Sequence, residues 1–157
     1  MSGMVGARII GAAVGGALFL AGCGGGAPAP GGAPGAPGGD YKAAMSPAMK
    51  PCDDANKETK VALQSYKSSK MTLNEAKAVA DAGVVACGAA RTAWRGMTMP
   101  GPVAEACGGE AEAKYGLATA QRAALDHLMS KPYKSQIDRQ LDAVTRAVAA
   151  CKKAVNG

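Results

Sequence analysis

The residues that could do chemistry are few. The chain has five cysteines, eight methionines and a single histidine among 157 residues. His127 has Ser130 and Ser135 near it in sequence, but no nucleophile-elbow context surrounds either serine. A lone histidine on an alanine-rich helix reads as a surface or packing residue, and no catalytic residue is assigned. Asp138 and Asp142 lie one helical turn apart among Arg139 and Arg146, a pattern of ion-pair decoration rather than of paired catalytic carboxylates. Zinc sites usually carry closely spaced Cys pairs, and Cys52, Cys87, Cys107 and Cys151 are far apart in sequence. The four read instead as two disulfides.

The methionines give one alternative. Met97 and Met99 flank Thr98 in a turn, Met45 and Met49 precede the first helix, and Met129 follows His127. Thioethers are soft ligands that select Cu(I). Met97, Met99 and His127 are therefore the candidate metal ligands of a copper or small-ligand carrier. The competing reading makes these methionines adaptable packing residues.

The elements around these residues begin with an address. Arg8 and the amino terminus form a positive region, followed by twelve apolar residues from Ile9 to Leu20. A membrane-spanning helix needs about 20 such residues, so this length fits a signal peptide. Leu20-Ala21-Gly22-Cys23 follows. This tetrapeptide resembles the lipobox of bacterial lipoproteins at each position. The resemblance covers residues 1–23 alone. It implies removal of residues 1–22 and lipidation of Cys23, with membrane attachment through acyl chains. Each buried methylene contributes about 0.8 kcal/mol, and two or more chains hold stably. Gly24 rather than Asp after the cysteine implies the outer membrane in a host with two membranes, and otherwise the outer face of the cell membrane. The expected compartment is extracytoplasmic and oxidising, which makes disulfides the default and nucleic acid a poor partner.

Residues 24–39 contain only Gly, Ala and Pro. They have nothing large to bury and read as a flexible tract. The expected linker extends over 23–49 and spans roughly 30 Å as a flexible chain. The domain is expected over 50–157.

Within it, four apolar stripes recur at helical spacing. The first runs from Cys52 to Tyr66, with Pro51 at its first turn. The second runs Leu73, Ala76, Ala80, Gly83, Cys87, Ala90, Trp94, opened by a Thr72/Glu75 capping box. The third is clear from Glu110, after Gly108-Gly109, and Pro132 is expected to end it. The fourth runs Ile137, Leu141, Val144, Val148, Cys151, Val155, one face of a helix in a bundle. The expected fold is all-α, an up-down-up-down four-helix bundle.

That topology brings all four cysteines to one end. Cys52–Cys87 with Cys107–Cys151 is slightly favoured over Cys52–Cys151 with Cys87–Cys107. The diagonal pairing is disfavoured, because bridged Cα atoms must approach within about 7 Å. Two bridges would compensate a core short of large side chains: aromatics make up 4% of the chain, and the one Phe lies in the signal segment.

Removing residues 1–22 takes away only Arg8 and lowers the formal charge from +6 to +5. A basic protein favours anionic partners. Lys57, Lys60, Lys67 and Lys70 recur along helix one, and Lys152 and Lys153 close helix four. The expected function is non-enzymatic: a lipid-anchored binding, adaptor or structural module meeting an envelope protein or an anionic polymer. Such a module would expose an apolar patch, for which Trp94 and Tyr115 are the candidates.

Overall fold

The computed structural model describes residues 41–157. Cys23, the lipobox and the Gly/Ala/Pro tract lie outside the described residues. The described residues form four helices, α1 (Tyr41–Lys67), α2 (Leu73–Arg95), α3 (Gly101–Asp126) and α4 (Lys131–Asn156), joined by short turns into an up-down-up-down bundle. None of them is long and apolar enough to cross a membrane.

The second helix follows its sequence pattern closely. The Thr72 backbone N–H donates to the Glu75 carboxylate at 2.8 Å, and the Glu75 N–H donates to Thr72 Oγ1 at 3.3 Å. This satisfies two of the free N–H groups at the helix start. Ala76, Ala80, Gly83, Cys87, Ala90 and Trp94 are buried along one face. The small residues admit α1 closely. A Cβ built on Gly83 would come within 2.8 Å of Thr59 Oγ1, a hydroxyl that is itself buried and donates to the Ala55 carbonyl at 2.9 Å.

The first helix begins at Tyr41, well before the expected start near residue 50. Residues 41–49 are therefore helix rather than linker. Pro47 and Pro51 lie inside it. Each removes one helical hydrogen bond, and Ala43 and Pro47, the residues four positions back, are exposed. Packing offsets the cost. Tyr41, Met45 and Ala48 pack on the core that buries Met49 and Cys52, continuing the helical spacing toward the amino terminus.

The third helix also starts earlier than Glu110. Pro102 stands in its first turn, where its missing N–H costs nothing, and Val103, Cys107 and Ala111 are buried one turn apart. The helix continues through Gly108 and Gly109, where a Cβ would meet nothing. It ends at Asp126, and Pro132 belongs to the first turn of α4 rather than stopping α3. The intervening turn uses positive φ at Leu128 and Met129. Met129 is nonetheless buried, against Leu63, Ala124 and Leu125.

The disulfides join Cys52 to Cys87 and Cys107 to Cys151, the favoured pairing. Both sit in one apolar cluster with Met49 and Trp94, at the end of the bundle where α1 enters and α4 finishes. A second cluster of alanines with Leu63, Leu125 and Met129 fills the opposite end.

Helix α4 departs from the closed bundle. α1, α2 and α3 pack on one another, whereas α4 packs lengthwise on α3 and barely touches the other helices. Cys151 is its only buried residue, and Leu141, in the middle of its apolar stripe, is 42% exposed. The clearest amphipathic helix in the sequence is thus the least covered in the fold.

Candidate functional site

The gap between α1 and α4 is floored by α3 and falls into two halves separated by a charged bridge. The bridge is Lys114. Its ammonium lies 2.7 Å from Asp53 and 2.6 Å from Glu110, and the residue is 7% exposed. Burial pushes the ammonium toward neutrality, but hydrogen bonds to Asp53 and Glu110 outweigh it and hold the pKa above the usual lysine value. Lys114 is therefore a fixed cation rather than a base or nucleophile. Beside it Asn56 donates to the Lys114 carbonyl at 3.4 Å and to Cys87 Sγ at 3.5 Å.

At the disulfide end, a cavity of about 400 Å³ is lined by Met45, Met49, Trp94, Lys114 and Val155, with Lys42 and Lys152 at its edge. Trp94 is buried, and its indole N–H finds no acceptor among the described residues.

Toward the other end, two adjoining cavities of about 300 and 280 Å³ share Lys60, Gln121 and Leu141. Their floor is Leu117 and Gln121 from α3, with Leu63 of α1 and Met129 of the α3–α4 turn. The outer wall is Ile137, Leu141 and Val144 from α4. These floor residues are between 3% and 7% exposed and lie at the bottom of a slot between α1 and α4. Gln121 carries a buried amide oxygen that no donor among the described residues reaches. Lys57, Lys60, Lys67 and Lys134 stand around the slot, with Asp138 the acidic residue on the α4 side. Lys57 reaches Asp54 at 3.7 Å, whereas Lys60, Lys67 and Lys134 make no ion pair among the described residues.

Part of this was legible from sequence. Lys57, Lys60 and Lys67 belong to the basic face expected on helix one, and Leu141 and Val144 to the stripe of helix four. Their convergence was not, because periodicity says which face is apolar but not what covers it. Lys134, Gln121 and Lys114 were missed. For Lys114 the one signal is Glu110 a turn earlier, a helical ion-pair spacing.

The other candidates fall elsewhere. Met97 and Met99 lie in the α2–α3 turn, and His127 follows α3 at its far end. The length of α3 separates them, about 40 Å at 1.5 Å per residue, so these three residues cannot share an ion. Met99 packs on the Trp94 cluster. The His127 ring stacks on Tyr133 with centroids 3.9 Å apart. Among the described residues, no group of three His, Cys, Asp or Glu side chains could hold a metal. The expected patch at Trp94 and Tyr115 is also corrected. Trp94 is buried in the core, and Arg91 covers the Tyr115 ring at 4.1 Å.

Comparison with known proteins finds no family model, no curated protein and no solved structure that matches the chain.

Proposed function

We propose that this chain is a lipid-anchored, non-enzymatic binding module of the bacterial envelope, attached through Cys23 and working through the gap between α1 and α4. The observation that carries the binding reading is the half-covered apolar face of α4, bordered by Lys60, Lys67 and Lys134, which make no ion pair among the described residues. Folded domains rarely leave such a face open without a use for it. The lipobox resemblance supports the anchor, and two disulfides in a small domain suit an oxidising compartment. The basic charge favours an anionic partner, whether an envelope protein, a polymer or an amphiphile.

Two measurements in the producing cell test this reading. Labelled palmitate should enter the protein, and Cys23→Ala should abolish labelling and release the chain from the membrane fraction. A photoreactive residue at position 144, in the slot, should give a discrete adduct. The same residue at position 85, an exposed site on α2, should give none. Equal adducts from both positions would remove the basis for a binding site between α1 and α4.

A further inference from the structure

We infer that the slot between α1 and α4 binds a single-chain anionic amphiphile, with its hydrocarbon tail against α3 and its carboxylate among Lys60, Lys67 and Lys134. The inference rests on the binding-module reading and names its ligand class.

Three observations select this occupant. The first is size. The two adjoining cavities hold about 300 and 280 Å³, room for a single hydrocarbon chain, whereas a helical peptide about 10–12 Å across would need a far larger trough.

The second is the division between apolar and charged surface. Leu63, Leu117, Met129, Ile137, Leu141 and Val144 come from α1, α3, the α3–α4 turn and α4, and line one continuous slot. One end of the slot is bounded by the Lys114 bridge, one cation held between the Asp53 and Glu110 carboxylates, which leaves no free cation in that bridge for an anionic head.

The third is charge. Lys67 and Lys134 line the opposite end from both helices and Lys60 stands where the two cavities meet, with Asp138 the one carboxylate lining the cavity that holds all three. None of the three lysines is paired among the described residues. An anion there meets cations from both helices beside an apolar slot. A neutral or cationic head gains nothing from them.

The test is calorimetric titration of the full chain, purified with both disulfides oxidised, using dodecanoate below its micelle concentration. Acetate serves as the head without the tail, and dodecyltrimethylammonium as the tail with the opposite charge. Dodecanoate should bind one to one and acetate should not bind. The cationic amphiphile should bind at least about tenfold more weakly. Leu141→Asp should weaken dodecanoate binding by about tenfold or more. Lys60→Glu and Lys134→Glu should each cost about three- to tenfold, the loss shrinking as salt is raised. Lys153→Glu, an exposed change of equal charge on α4 outside the slot, should leave binding unaltered. Because both lysines are exposed, their variants keep the test decisive if Leu141→Asp fails to fold.

Several outcomes would overturn the inference. Equal affinity for the cationic amphiphile would remove the charge argument. Tail binding untouched by Leu141→Asp would place the ligand elsewhere. Binding to acidic vesicles but not to monomeric dodecanoate would make the lysines a membrane-facing surface. Ligand-free dimers that Leu141→Asp disperses would make the slot a contact between copies. If dodecanoate fails while the position-144 adduct persists, the amphiphile is wrong and the binding module stands. If both fail, both readings fall.

Discussion

Breaking the Cys107–Cys151 bridge should release α4 while the other three helices hold. Loop closure sets the size of the effect. With a sequence separation of 44, the bridge restricts the unfolded chain by about 4 kcal/mol. The Cys52–Cys87 bridge spans 35 and gives about 3.8 kcal/mol on the same relation. Entropy alone therefore predicts nearly equal losses from the two double alanine variants. The packing predicts different ones. α1 is held to α2 by buried Thr59, Ala62, Ala76, Ala80 and Gly83 as well as by its bridge. α4 buries Cys151 alone. Hydrogen exchange read by mass spectrometry resolves the two cases. In Cys107→Ala/Cys151→Ala, residues 131–156 should exchange up to roughly a thousandfold faster, with α2 much less affected. In Cys52→Ala/Cys87→Ala, the helices should lose protection together. Uniform loss across all four helices in the first variant would show that α4 is cooperative with the core, and would refute the reasoning.

Three further outcomes follow from single positions. Gly83→Ala should destabilise by about 1–3 kcal/mol, because its Cβ would press on Thr59 Oγ1. Thr59→Ala should relieve part of that loss in a double-mutant cycle read by denaturant unfolding. Gly108→Ala and Gly109→Ala meet open space and should each stabilise by up to about 1 kcal/mol, raising the melting temperature by several degrees. Asp126 has its pKa lowered to about 2 by hydrogen bonds from Arg122 and then Lys77. A carboxylate depressed in the folded state stabilises fully above its unfolded pKa near 3.8 and loses that contribution as pH falls toward 2. Asp126→Asn should flatten stability over that window, seen in melts between pH 2 and 5. An unchanged acid limb would show that the clamp contributes nothing to folding.

The sequence was most informative where local chemistry and tertiary packing agree. For α2, the Thr72/Glu75 box and the stripe from Ala76 to Trp94 specify start, face and neighbour together. The pairing of the cysteines was legible because chain direction alone brings all four to one end. At α1 the local signals conflict. Pro51 reads as the first turn of a helix, yet Tyr41, Met45 and Met49 pack on the Trp94 cluster and carry the helix back to Tyr41. At α3 the Gly108-Gly109 pair suggested an interruption. The burial of Val103, Cys107 and Ala111 carries the helix through it. The slot was the least legible feature. It exists because α4 stops short of α1, and no periodicity in either helix records a contact that is not made.

The bridges also sort the chain by mechanical load. A pull between Tyr41 and Gly157 travels along α1 only to Cys52, crosses to Cys87, follows the chain to Cys107, and crosses again to Cys151. Residues 53–86 and 108–150 hang from this path as side loops that carry no tension. The slot residues from Lys57 to Lys67 and from Leu117 to Val144 all belong to those loops. Strain applied at the two ends is borne by covalent bonds and three short stretches of helix and turn, and it bypasses the surface on which a ligand would rest.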